Sequence, residues 1–149
     1  MLRVLVTEAP FDLAAEAAAL QGSGEVGALA SFTGICRADA GLRAMVLEHY
    51  PAMTERALRR IAEDAMARWP LSGCTVIHRF GRMRPGDPIV LVLTASAHRA
   101  AALESCAFLM DWLKTRAPFW KREEWEDGSA RWVEARAADD DAAARWQGR

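Results

Sequence analysis

Lysine is almost missing from this chain. Of 19 basic side chains in 149 residues only two are lysine, and both, Lys114 and Lys121, fall within one eight-residue stretch. A chain that otherwise writes positive charge as arginine keeps an ammonium where a compact, deprotonatable or nucleophilic group is needed, which a guanidinium does not supply. A coding bias against lysine is the bland alternative, and the clustering weighs against it. Cysteine is sparse too: Cys36, Cys74 and Cys106 are odd in number and lack C-x-x-C spacing, which excludes a disulfide framework and fits reduced thiols. The histidines His49, His78 and His98 have no compact ligand spacing with acids or cysteines, so no metal site is expected. Also missing are a phosphate loop, a dinucleotide fingerprint and a serine nucleophile elbow, which leaves nucleotide hydrolysis, dinucleotide binding and serine-hydrolase chemistry without their usual signals. No apolar run approaches a membrane span, and the Met1–Thr7 start is too short for a secretory signal, so a soluble cytoplasmic protein is expected. With a net charge of −1 and a pI near 6.3 the molecular field does not draw in polyanions, and nucleic acid is not an expected partner.

What is present reads as one domain with a substantial core, 52% of the residues being hydrophobic. The expected boundaries are a single domain over 1–136 and an acidic, alanine-rich, solvated tail over 137–149. Residues 2–7 predict a strand, and Asp12 caps a helix reaching Leu20 and stopping at Gly22. Strands are predicted at 26–33 and 43–50, joined by a polar loop as a hairpin. An amphipathic helix spans 54–69 before Pro70, and a second hairpin pairs 74–80 with the nearly continuous apolar run 89–95. A third helix starts near Ser96 and is stopped by Pro118; two short strands, 119–125 and 131–136, follow around an Asp127-Gly128-Ser129 turn. Strand pairs alternating with helices predict a two-layer α+β domain with a mostly antiparallel sheet.

Candidate chemistry gathers in two places. Ser96-Ala97-His98-Arg99 joins a buried strand to a helix, where helix-start amides, an imidazole and a guanidinium can converge on phosphate or carboxylate; a plain helix cap with solvated side chains is the competing reading. Lys114 and Lys121 flank Pro118, which turns the chain so that the two amines can share a pocket walled by Phe119 and Trp120. Lys114 and His98 sit at opposite ends of one helix, about 24 Å apart at 1.5 Å per residue, so the site is either long or built from two subunits. Arg37, in the polar loop, and Arg136, closing the last strand, can each add a bidentate contact to an anion. Cys36 beside Arg37 reads as a packing residue rather than a sulfur carrier.

Five segments carry a resemblance: Leu47-Glu48-His49-Tyr50-Pro51-Ala52-Met53-Thr54, Val76-Ile77-His78-Arg79-Phe80-Gly81, Ser96-Ala97-His98-Arg99, Lys114-Thr115-Arg116-Ala117-Pro118-Phe119-Trp120-Lys121 and Arg131-Trp132-Val133-Glu134-Ala135. In this order they resemble the catalytic (large) subunit family of molybdopterin synthase. The resemblance implies an α/β hammerhead fold and a homodimer within a heterotetramer, with a small ubiquitin-like sulfur-carrier subunit as partner. It further implies transfer of sulfur from that partner's C-terminal thiocarboxylate to cyclic pyranopterin monophosphate, forming the dithiolene without a cofactor. Lys114 and Lys121 match the family's catalytic lysines; Arg37, His98, Arg99 and Arg136 match residues around substrate and tail. A non-catalytic module that binds a ubiquitin-like tail is the alternative. A short loop after Arg37 and an unusual hairpin tip at 125–130 depart from the pattern.

Overall fold

The structure, a computed structural model, describes residues 1–22, 24–133, 141–142 and 144–147. In chain order the elements are β1 (Leu2–Thr7), α1 (Leu13–Leu20), β2 (Ala28–Ile35), β3 (Leu42–His49), α2 (Pro51–Arg68), β4 (Leu71–Arg79), β5 (Gly81–Met83), β6 (Pro88–Ser96), α3 (Arg99–Thr115), β7 (Phe119–Trp125) and β8 (Ala130–Val133). They form two four-stranded sheets, one ordered β1-β4-β6-β2 and the other β5-β3-β7-β8. The first sheet is mixed: β1 runs parallel to β4, whereas β4 with β6 and β6 with β2 are antiparallel. No helix among the described residues is long and apolar enough to cross a membrane.

The expected hairpin of the second and third strands does not form. β2 pairs with β6, and β3 pairs with β5 and β7 in the other sheet, so the polar loop after Ile35 carries the chain between sheets. The physical reason lies in β6, whose residues Val90 to Ser96 are all buried. A strand covered on both faces belongs inside a sheet with a neighbour on each side, and β2 supplies the second neighbour. The expected pairing of 74–80 with 89–95 is present as β4 with β6, and the unforeseen β5 lies between them. Gly81, at φ +90°, turns the chain out of β4 into a conformation few side chains tolerate, and β5 then pairs with Met45 to Leu47.

The core explains the layering. Leu58, Ile61, Ala62 and Ala65 of α2 and Ala102, Cys106 and Leu109 of α3 pack on Val4, Cys74, Val76 and Val92 of the first sheet. Each large side chain removed from water here contributes about 1.5–3 kcal/mol. The sheet's opposite face packs Ile77, Leu91 and Leu93 against Leu20, Phe11 and Ala17, so α1 adds a layer to the two expected. Gly73 allows the approach: a Cβ there would meet the Leu20 Cδ2 methyl at 2.7 Å. Helix α2 starts three residues before the expected Thr54, because Pro51 takes the first turn, where it has no helix bond to forfeit. Thr54 is fully buried, and its hydroxyl donates to the Tyr50 carbonyl at 2.8 Å.

In the described part of the tail, Trp146 departs from the solvation expected of it. Trp146 packs edge-on against Trp69 and Phe108, at ring separations of 5.8 and 5.7 Å, in the seam between α2 and α3.

Candidate functional site

Helix α3 ends where Pro118 forbids its continuation, with Arg116 as C-cap, and Phe119 opens β7 immediately afterwards. This short link holds the two lysines on neighbouring elements. Lys114 lies in the last turn of α3, and Lys121 lies on β7 opposite Leu47 and Val133. Strand alternation places Lys121 on the same face as Phe119, whose ring stacks on His78 at 3.9 Å and 18°. The Lys114 charge is felt at His78 and the Lys121 charge at Cys36, so both ammonium groups act on residues near this end of the molecule. Among the described residues neither lysine has a hydrogen bond or ion pair. Two uncompensated ammonium groups at one end of the molecule are suited to an anionic reactant.

His78 is the buried member of the cluster. Its Nδ1–H donates to the Arg79 carbonyl at 2.8 Å, which leaves Nε2 as an acceptor. Burial pushes its pKa down to about 4, with the Lys114 and His49 charges acting in the same direction and the carbonyl hydrogen bond against them. The ring is therefore neutral at neutral pH. His49, also lowered by burial, sits 4.4 Å from the Phe80 ring and 5.5 Å from Phe119, and its Nδ1–H donates to Thr54 Oγ1 at 3.0 Å. Sequence reading gave His49 and His78 no role in the site. The available signals were the apolar neighbours of His78 in a strand and the ring directly after Pro118.

Arg37 reaches this same end of the molecule. Its Nε lies 3.3 Å from Asp39 Oδ1, yet its side chain is 71% exposed, which leaves most of the guanidinium open to a ligand. Cys36, beside it, is buried; burial first, then the charges of Asp87, Asp39 and Glu123, raise its pKa against the opposing pull of Lys121. A buried protonated thiol is a packing residue and a poor sulfur nucleophile.

His98 and Arg99 lie at the other end of α3. Ser96 does not cap the helix: its hydroxyl donates to the Pro70 carbonyl at 2.8 Å, and the His98 N–H to Ser96 Oγ contact is long at 3.4 Å. His98 holds the N-cap position without a side-chain capping bond, so the helix-start amides have no side-chain partner there. Gly27 crosses this junction, where a Cβ would collide with the Ala97 carbonyl. β2 shows the same separation, because its Ala28 end meets Ser96 and its Ile35 end meets Pro88, next to the Arg37 loop. Within one chain the structure thus gathers Arg37, Lys114 and Lys121 at one end and His98 with Arg99 at the other, about 24 Å away along α3. Arg136 lies outside the described residues.

Two basic clusters on an α/β scaffold, one of them amine-bearing, suit a protein that handles anionic substrates. The family model described as "MoaE protein" matches residues 6–116. The molybdopterin synthase catalytic subunit of Mesorhizobium japonicum is 57% identical over 147 residues, spanning 97% of this chain and 92% of that protein. Among solved structures, the molybdopterin biosynthesis MoaE protein from Burkholderia ambifaria superposes with a TM-score of 0.84 at 50% identity, covering 98% of both chains. Molybdopterin synthase from Staphylococcus aureus superposes with a TM-score of 0.79 at 26% identity, covering 87% of this chain and 95% of that one. The chain belongs to the MoaE protein family, that of the molybdopterin synthase catalytic subunits. It is accordingly a sulfurtransferase of molybdenum cofactor biosynthesis, which sets aside the non-catalytic binding module.

Proposed function

We propose that the chain transfers sulfur from the C-terminal thiocarboxylate of a small ubiquitin-like subunit to cyclic pyranopterin monophosphate, with Lys114 and Lys121 as the catalytic residues. The observation that carries this reading is the pair of lysines near the His78–Phe119 stack, neither of which has a hydrogen bond or ion pair among the described residues. An ammonium next to the thiocarboxylate or its adduct stabilises negative charge as it develops and can pass a proton to the leaving group. Arg37, Arg99 and Arg136, with His98, hold the phosphate and the incoming carboxylate tail.

Because His98 and Arg99 stand a helix length from Lys114, a homodimer in which one subunit's His98 end faces its partner's lysine end completes the site. Two small subunits on that homodimer make a heterotetramer. The hammerhead arrangement with a mostly antiparallel sheet, a single domain over 1–136 followed by an acidic, alanine-rich tail, and a cytoplasmic location belong to the same reading. The test mixes the protein with thiocarboxylated small subunit and cyclic pyranopterin monophosphate and follows molybdopterin through its fluorescent oxidation product. Product from the wild type but not from Lys114→Ala is the expected outcome. Equal product from both would remove Lys114 from the chemistry.

A further inference from the structure

The C-terminal segment touches α3 at a telling place. Asp111 Oδ2 accepts a hydrogen bond from Trp146 Nε1 at 2.6 Å and pairs with Arg145 at 2.8 Å. Arg68 donates to the Trp146 carbonyl at 3.1 Å, and the indole is wedged against Trp69 and Phe108. The tail is therefore fixed by apolar rings and tied by charge to one carboxylate. That carboxylate stands three residues before Lys114 on the same helix, the spacing at which acidic and basic side chains meet on a helix surface. Its side chain is 18% exposed, so a freed Asp111 would have little water to stabilise it and a strong reason to find a cation. Lys114 is the cation one turn away, and among the described residues it has no ion pair while Arg145 and Trp146 occupy Asp111.

We propose that residues 144–147 act as a positioning clip, in which Arg145 and Trp146 hold the Asp111 carboxylate and so keep the Lys114 ammonium free for the reaction. The proposal rests on Lys114 being a catalytic lysine. Arg145, Trp146 and Asp111 touch no substrate; they are positioning residues acting through Lys114. Without the clip, Asp111 turns along the helix to Lys114 and the ammonium is held away from the thiocarboxylate.

The test uses the full chain with its thiocarboxylated partner and measures kcat and KM for Arg145→Met/Trp146→Phe, which strips both donors from Asp111 and retains a ring in the seam. An exposed or partly exposed ion pair of this spacing holds enough of the lysine to lower kcat about threefold, with KM for the partner unchanged. Adding Asp111→Asn to that variant removes the competitor and restores kcat to within about twofold of wild type. A structural role alone would leave the triple variant as slow as the double one, and that result would overturn the clip, as would a double variant running at the wild-type rate. Lys114→Ala is measured alongside: if it turns over normally, the lysine assignment itself fails, an outcome separate from failure of the clip.

Discussion

The chemistry at the residue scale comes down to what an amine does that a guanidinium does not. Lys114→Ala should lower turnover by about 10²–10⁴-fold, the range for losing a positioned proton donor. Its stability should stay within about 0.5 kcal/mol of wild type, because an exposed side chain with no partner among the described residues holds little of the fold together. Lys114→Arg keeps the charge and separates the two contributions: recovery of turnover would assign Lys114 to electrostatics alone, and continued loss assigns it to proton transfer. Cys36 makes the opposite case. Its burial and raised pKa argue that sulfur does not pass through it, so Cys36→Ala should keep turnover within about twofold while costing about 1 kcal/mol of stability in a urea titration. A loss of turnover far beyond the loss of stability would return Cys36 to the reaction.

At the scale of elements, the stack of His78 on Phe119 ties β4 of one sheet to β7 of the other, next to both lysines. The pKa of His78 is about 4 in the folded protein against 6.5 ordinarily, so between these values the unfolded chain binds more protons than the folded one. Stability is therefore whole above pH 6.5 and falls as pH drops from 6.5 towards 4, by about 3 kcal/mol from this ring if the shift is fully expressed. Urea midpoints of the wild type at pH 7 and 4.5 should differ by more than those of His78→Phe, which keeps a ring on Phe119 but cannot protonate. Equal differences in the two proteins would place the acid sensitivity elsewhere. The elements themselves were largely legible, since period and punctuation are local: Asp12 caps α1 by accepting from the Ala15 N–H, and Pro118 stops α3. Strand partnership is not local. Nothing near β2 and β3 announces that they belong to different sheets, and β5 is three residues long, below what alternation can reveal.

At the scale of the whole molecule, the lysine motif, the His98-Arg99 junction and the helix length between them could be read from the sequence, but not which surfaces meet to join them, because such contacts are not local. The clip was illegible for a related reason: the tail's alanines and acids suggest solvation, while its function hangs on one tryptophan meeting rings from α2 and α3. If each complete site takes Lys114 from one subunit and His98 with Arg99 from its partner, two differently damaged chains can repair each other. Two-fold symmetry makes the arithmetic definite. In a mixed dimer of Lys114→Ala with His98→Ala/Arg99→Ala, one site carries every defect and the other carries none. Random exchange yields about half mixed dimers, so co-refolding two nearly inactive proteins should restore about a quarter of wild-type turnover. The same chains assayed without exchange should stay inactive, which controls for residual activity. Failure to recover turnover in mixed dimers verified by differential tags would mean that each site lies within one chain, stretched along the full length of α3.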